Sequence, residues 1–580
     1  MFDIPTTKEE MNSLGIKQLD VILISGDSFV DHPSFGVAII ARVLKDICGL
    51  KVGVISQPDW KSEKDIKKLG EPKYFFGVSG GNLDSMVSNY TASRKKRKTD
   101  FYSPNTEFGK RPDRASIVYS NLIKQYFNKP IILGGIEASL RRMAHYDWWQ
   151  NKVKNSILLD SKADLIVYGM GEKTIIEIGN IFKNGGTIED CKSLRGIVYW
   201  KSEMPNNYDF INIPSLEEVK KDKQKYFLAF KTFQKETDPL NAKGIIQKHF
   251  NRYVIQNPPQ YCLTTQEMDE VYSLKYTRQV APSELKKGYV KSFDTVKNSI
   301  TSHRGCYGEC NFCALTLHQG RTIQSRSPES IIKEAEIISS QKNFNGIISD
   351  VGGPTANMYG YDCKKKIELG ACKEKSCIGY EFCNSLSPDH SKYIELLNSV
   401  EKVKGVKKVF ISSGIRVDLI YKDKKYGMKF LKNLIKKHIP GRFKIAPEHA
   451  DDEVLKLMNK PSFDLTEKFI NDLRNEGKKL NLNTKFSAYL IAAHPGSNKE
   501  MEENSKNRIK NSFGFVPNDV QIFTPTPSTN STTMYYTNLN LEGKKIYIEK
   551  DEKTRVKFKD IYTNNDFNKK KTKNVNKRKK

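Results

Sequence analysis

The chain has 580 residues, of which 96 are Lys or Arg and 67 are Asp or Glu, giving a net charge of +29. That length supplies ample core for several domains, which excludes a small disulfide-stapled scaffold, and no uncharged apolar run is long enough to cross a bilayer. The positive excess favours nucleic acid or an anionic substrate as a partner, although it is partly local: the last twelve residues, from Lys569, carry eight positive charges, and Arg94-Lys95-Lys96-Arg97-Lys98 form a second run.

The opening MFDIPTTKEE has neither a basic n-region nor an apolar h-region, which predicts a cytoplasmic protein with no membrane partner. Its ten cysteines are then reduced thiols or metal ligands, and seven of them fall between Cys306 and Cys383. In chain order, residues 20–27 (DVILISGD) read as a buried strand, and 36–47 as a helix with Ile40, Val43, Leu44 and Ile47 at helical spacing. Strands at 52–56, 75–81, 130–135 and 165–171 follow, with helical stretches between them. Such alternation predicts a doubly wound parallel sheet, whose ligands lie beyond the carboxyl ends of the strands. Gly80, Gly81, Gly134, Gly135, Gly169 and Gly171 are read as tight turns. From 214 to 289 the pattern loosens into a charged helix at 215–236, a break at Asn257-Pro258-Pro259 and a mixed stretch.

Six further strands are predicted at 297–303, 345–350, 407–413, 441–446, 484–492 and 518–523. Helices are predicted between them at 328–341, 388–402, 426–438, 464–478 and 499–511. Beyond 528 the chain turns polar; 535–536 and 546–548 read as short strands, and from 552 onward the lysine and asparagine content predicts disorder. Cys48, Cys191 and Cys262 stand alone and read as small apolar core residues.

The densest chemistry follows the first strand of this second set. Cys306, Cys310 and Cys313 stand in C-x3-C-x2-C order, close enough for one short loop to aim three thiolates at one inorganic centre. A four-iron cube with a cysteine on every iron is coordinatively full, whereas three cysteines leave one iron open to a substrate group. Zinc is the alternative, but its sites usually pair cysteines as C-x2-C with a second pair downstream and take four protein ligands. Plain core cysteine is the other. Farther on, Cys363, Cys372, Cys377 and Cys383 lie in a stretch without periodicity, from 354 to 387, too long for an ordinary strand-to-helix connection. Four thiols there could fold the insert by gripping an auxiliary iron–sulfur cluster or Zn²⁺, with free thiols as the alternative.

The three-cysteine spacing, with Phe312 before the last cysteine, resembles the radical SAM superfamily. Ser302-His303-Arg304-Gly305, His318-Gln319-Gly320-Arg321 and Ser325-Arg326-Ser327 are similar to the YgiQ-type family within it. IILGGIEAS from Ile131 and DLIVYGMGE from Asp164 look like the cobalamin-binding type of Rossmann-like domain. The expected fold is therefore α/β, with an N-terminal Rossmann-like (cobalamin-binding-like) domain at 1–213 and a connector at 214–291. A partial (β/α)6 TIM-type barrel follows at 292–530, with the cysteine-rich insert at 354–387, and then a polar extension at 531–580 that is mostly a disordered lysine-rich tail. Cobalamin itself is not expected, because the loop Asp31-His32-Pro33-Ser34-Phe35-Gly36 breaks the D-x-H-x-x-G motif that ligates cobalt.

The resemblance implies that Cys306, Cys310 and Cys313 hold a 4Fe-4S cluster whose open iron binds S-adenosylmethionine (SAM). Reduced flavodoxin or ferredoxin would supply an electron, and SAM would yield a 5′-deoxyadenosyl radical that takes hydrogen from a substrate. SAM binding falls by resemblance to Phe312, Gly352 and Gly353, to the turn His494-Pro495-Gly496, and by position at strand ends to Ser412, Ser413, Arg416 and Glu448. Basic charge leans the substrate toward RNA or a ribosomal target. A cobalamin-dependent methyltransferase and a non-catalytic metal protein that binds RNA are the alternatives.

Overall fold

In the computed structural model of this chain, residues 2–205, 209–482, 485–517 and 519–563 are described. The first half is built on nine strands, β1 (Val21–Ser25), β2 (Val52–Ser56), β3 (Phe75–Ser79), β4 (Ile131–Gly134), β5 (Leu165–Val167), β6 (Ile197–Lys201), β7 (Phe210–Ile213), β8 (Gly244–His249) and β9 (Arg252–Gln256). Their order across the sheet is β7-β8-β9-β6-β5-β4-β3-β1-β2. Every residue of β1 is buried, as expected of a continuous apolar strand covered on both faces. It pairs in parallel with β2, Val21 facing Val52, and with β3, Val21 facing Phe75; β4 and β5 extend the parallel set. The chain thus steps from β1 out to β2 and crosses back to β3, a reversal that opens a crevice beyond the carboxyl ends. Helices α1 (Gly36–Arg42) and α2 (Glu172–Lys183) pack beside each other.

The expected connector is partly sheet. β8 and β9 form an antiparallel hairpin that joins the sheet through β6, with Phe250 in the left-handed region (φ +54°) at its turn. The charged helix expected at 215–236 is two helices, Leu216–Lys221 and α3 (Lys223–Lys235), because Asp222 is extended and its carboxylate caps the Gln224 N–H.

In the second half, apart from the short antiparallel pair His303–Arg304 and Gln324–Ser325, the strands are β10 (Ser299–Thr301), β11 (Ile347–Ile348), β12 (Asp350–Gly352), β13 (Lys408–Val409), β14 (Arg442–Glu448), β15 (Lys485–Ala492) and β16 (Val520–Ile522). All their ladders are parallel: β10 with β12, β11 with β13, β14 with β15 and β15 with β16. The second predicted strand is thus interrupted at Ser349 into β11 and β12. Helices α4 (Pro328–Ser339), α5 (Ser391–Glu401), α6 (Phe463–Lys479) and α7 (Lys499–Phe513) alternate with these strands. Residues 484 and 518, predicted to open strands, lie outside the described residues, as does the lysine-rich tail from 564.

Two C-terminal expectations are corrected. Residues 535–536 belong to a helix, Asn530–Thr537, and not to a strand. Residues 552–563 form α8 (Glu552–Thr563). Arg555, Phe558 and Tyr562 are spaced to share one helix face, all three are buried, and the Tyr562 hydroxyl donates to Glu502 at 2.7 Å. Composition alone hid that stripe among lysines. Among the described residues no helix is long and apolar enough to cross a membrane.

One apolar cluster runs through both halves. Buried ion pairs cross between them too: Arg304 with Glu172 at the start of α2, and Arg278 with Glu334 of α4. Arg278 also holds His32, whose Nε2 lies 2.7 Å from the guanidinium while Nδ1 accepts the Ser34 N–H at 3.1 Å.

Candidate active site

The cysteine loop hangs from the carboxyl end of β10. His303–Arg304 pairs with Gln324–Ser325, which closes the loop at its base. Just inside, the Cys306 N–H donates to Gly320 O at 3.1 Å, and a Cβ on Gly305 would come within 2.1 Å of Thr322 O. Only glycine fits there, at φ +86°. At the far end, Asn311 donates to Leu457 O and Met458 O at 2.9 and 3.0 Å and accepts from the Ser531 N–H at 2.8 Å. Phe312 meets the His494 ring edge-on, with centroids 6.5 Å apart.

Two of the thiols face a common space. A Cβ added to Gly308 would lie 3.2 Å from Cys306 Sγ, 3.5 Å from Arg416 Nη1 and 4.0 Å from Cys310 Sγ. Burial pushes the Cys306 thiol up and the Cys313 thiol up to about 12, and the neighbouring Cys310 is the next cause in both. Groups that oppose one another's ionisation in this way suit a centre that binds thiolates and removes their protons. Donors toward sulfur are in place: Arg416 Nη1 is 3.6 Å from Cys310 Sγ, and the Gly308 N–H is 3.4 Å from Cys306 Sγ. Asp418 fixes that guanidinium through Nε at 3.0 Å and through Nη2, and Asn357 holds the Arg416 backbone on both sides.

Among the described residues no three Cys, His, Asp or Glu side chains stand close enough to hold one metal ion, in the loop or in the insert. A four-iron cube places each cysteine on its own iron, so the loop thiols fit one without converging on a point. The insert thiols are dispersed: Cys363 is buried, Cys372 is exposed, and Cys377 and Cys383 are half-buried. The insert has a small core of its own, in which Cys363, Ile378 and Leu386 pack with Tyr307, Met358 and Leu419. Its folding therefore has an apolar source, contrary to the expectation of a coreless segment.

The remaining strand ends gather beside the loop. Gly352 and Gly353 are forced by crowding, since added Cβ atoms would lie 2.3 Å from Ser413 Oγ and 2.7 Å from the His303 ring. Asp350 accepts the Ser412 and Ser413 N–H groups at 2.8 and 3.1 Å and the Ser413 hydroxyl, while Ser412 Oγ donates to Ser349 O at 2.7 Å. Both predicted serine hydroxyls are thus engaged within the protein. So is His494, between Pro495 O at 2.9 Å and Ser531 Oγ at 2.7 Å, with Gly496 turning the chain at φ +91°.

Glu448 is different. It ends β14 at a register shift, at φ +71°, and its Oε2 is buried without a partner. Bulges re-aim side chains, and a non-glycine residue in this region costs roughly 1–3 kcal/mol. Desolvation raises its carboxyl to about 7 against the pull of Lys460 and Arg416. Lys460, whose Nζ donates to Ala446 O at 2.8 Å, was not predicted, nor were Asp350, Asn357 and Asp418 as site residues. Their contribution comes from side-chain reach across separate elements, which no local spacing reveals.

The family described as Radical SAM N-terminal matches residues 3–299, and the Radical SAM superfamily matches residues 300–508. A UPF0313 protein of Thermotoga neapolitana is 49% identical over 559 residues, covering 96% of this chain and 98% of that protein. A UPF0313 protein of Clostridium botulinum (strain ATCC 19397 / Type A) is 49% identical over 554 residues, covering 95% and 85%. Among solved structures, the radical SAM methyltransferase TsrM from Kitasatospora setae, with cobalamin and a 4Fe-4S cluster bound, shares 14% identity at a TM-score of 0.49, over 87% of this chain and 73% of that one. The cobalamin-dependent SAM radical enzyme OxsB, with aqua-cobalamin bound, shares 12% identity at a TM-score of 0.49, over 87% and 53%. Likeness at that level bears on no ligand here, and the expectation against cobalamin draws no support from it.

Proposed function

Because this chain belongs to the radical SAM superfamily, and within it to the UPF0313 family, we propose that it is an enzyme that cleaves SAM reductively at the Cys306-Cys310-Cys313 loop. The observation that carries this reading is that Cys306 and Cys310 share one space with Arg416 around Gly308, with the desolvated Cys313 thiol close enough to feel both sulfurs. When bound, a 4Fe-4S cluster supplies an electron to the SAM sulfonium, which breaks to methionine and a 5′-deoxyadenosyl radical able to take a hydrogen atom.

The chain's own work is to hold and orient. Cys306, Cys310 and Cys313 would hold the cluster through three thiolates. Arg416, already aimed at the loop by Asp418, offers charge to a carboxylate. The crowded Gly352-Gly353 turn presents main chain to an amino group, and the unpartnered Glu448 Oε2 is an acceptor for ribose hydroxyls. Phe312 and His494 brace the loop from behind. In this reading β10 to β16 are the partial (β/α)6 barrel, the first sheet is its Rossmann-like partner, and reduced flavodoxin or ferredoxin is the electron donor.

Anaerobically reconstituted protein with dithionite is expected to form 5′-deoxyadenosine from SAM, and Cys310→Ala to abolish it. Undiminished product from that variant would overturn the assignment. Cobalt analysis of the same preparation tests the corrinoid alternative, in which His32 would take no part because its ring is committed to Arg278 and Ser34.

A further inference from the structure

A cavity of about 490 Å³ lies between the carboxyl ends of β3, β4 and β5 and the ends of β10 and β12. That is within the ~300–1,000 Å³ of small-molecule sites, and it sits where ligands of doubly wound sheets bind. Its walls are mainly apolar, including Leu23, Ile39, Ile132 and Val167. Two glycines keep it open. Gly134 is extended, and a Cβ there would come no nearer than 4.0 Å to any other group, while one on Gly36 would meet nothing within 4 Å.

The polar edge comes from the family-like motifs that flank the cysteine loop, whose His303, Arg304, His318 and Gln319 all line the cavity. Ser139 Oγ accepts the Gly169 N–H at 3.1 Å and has His318 Nδ1, also at 3.1 Å, as its other partner. The hydroxyl hydrogen therefore goes to Nδ1, and burial holds the ring neutral, its pKa down at about 4. That assigns the ring's own proton to Nε2, which has no hydrogen-bond partner among the described residues. The one cation in the lining, Arg304, has its charge paired with Glu172 and its Nε donating to the Tyr272 hydroxyl, with only Nη2 unpartnered among the described residues, and Asp350 is met by Ser412 and Ser413. The contrast is a 290 Å³ cavity on Cys310 and Cys313, whose wall holds Lys231, Lys235, Lys373 and Lys375 against Glu309 and Glu374, with Lys235 and Lys373 in ion pairs. An anion entering the larger cavity would lose its water and meet only a cation whose charge Glu172 already pairs.

We propose that the larger cavity binds an uncharged, largely apolar small molecule whose carbonyl or amide oxygen accepts the His318 Nε2–H, and that this chemistry is the substrate class of the enzyme. Only the second clause rests on the radical SAM reading. It replaces the RNA or ribosomal substrate toward which the basic charge leaned, since Gly352, Gly353 and Ser413 at the strand ends line the same space.

Nile red, an uncharged apolar dye with a carbonyl acceptor, is the probe, titrated by fluorescence into the full chain. Saturable, blue-shifted binding is expected, unmoved by about tenfold more salt and not displaced by ADP or a short RNA oligonucleotide. Gly134→Leu should weaken it about tenfold or more by filling the space, and His318→Phe about fivefold by removing the donor. The melting temperature serves as the fold control, and Gly36→Leu replaces Gly134→Leu if the latter does not fold. Binding unchanged in the folded glycine variant, or displaced by ADP or RNA, overturns the proposal. Glycine-dependent binding in a chain that never cleaves SAM would sink the radical reading and leave the cavity assignment standing. SAM cleavage with glycine-independent binding would do the reverse.

Discussion

Two stretches of this chain are rich in cysteine, three thiols in one and four in the other, and they differ in far more than that count. The loop at Cys306, Cys310 and Cys313 hangs from a strand end, is closed at both ends by backbone hydrogen bonds, and has a guanidinium and an N–H aimed at its sulfurs. The insert from Cys363 to Cys383 scatters its four thiols over buried, half-buried and exposed positions. It is held by its own apolar cluster and by pairs such as Asp362 with Lys366 at 2.6 Å. The difference teaches that a cysteine count does not make a site. What makes one is a scaffold that points sulfurs at a common volume and surrounds them with donors, because thiolates forced together are stable only when something positive shares their charge.

The sharpest way to break this comparison is to remove one thiol from each region. Cys313→Ser is expected to cost essentially all of the ~4 iron atoms per reconstituted chain; retention of iron would show that the loop is not the ligand set. Next comes the guanidinium. Arg416→Lys keeps the charge but loses the planar fork that Asp418 aligns, and 5′-deoxyadenosine formation should fall about 10–100-fold. Gly308→Ala tests the shared space directly, because its methyl group would sit 3.2 Å from Cys306 Sγ; a several-fold lower iron content is expected with an unchanged melting temperature. The smallest effect should come from the insert: Cys372→Ser on its exposed turn should leave iron content unaltered and stability within about 0.5 kcal/mol. A loss of iron there as large as in the loop variants would erase the distinction.

Much of this was legible in the sequence, and for identifiable reasons. β1 and β2 were readable because a strand buried on both faces must be apolar throughout, and the alternation of such runs with helical periods fixed a parallel arrangement. The cysteine loop was readable because its ligands are neighbours in the chain. The hairpin of β8 and β9 was not, since Pro258 and Pro259 just beyond it and the charged residues around it outweighed two short strands. Nor was α8, whose buried stripe of Arg555, Phe558 and Tyr562 is diluted by lysines that simply face water. Glu448 was picked out by its place at a strand end, but its left-handed backbone and unpartnered oxygen were invisible. Those arise from the register shift between β14 and β15.

By itself the sequence determined the α/β alternation, the family and the three thiols, because each depends on residues within a few positions of one another. Only the tertiary structure decided that Arg416 reaches Cys310, that the insert thiols stay apart, and that a largely apolar cavity opens between the two sets of strand ends. Those are relations between side chains brought together from distant strands. The free energy that selects them comes from burial and charge pairing over the whole chain, and no local pattern carries it.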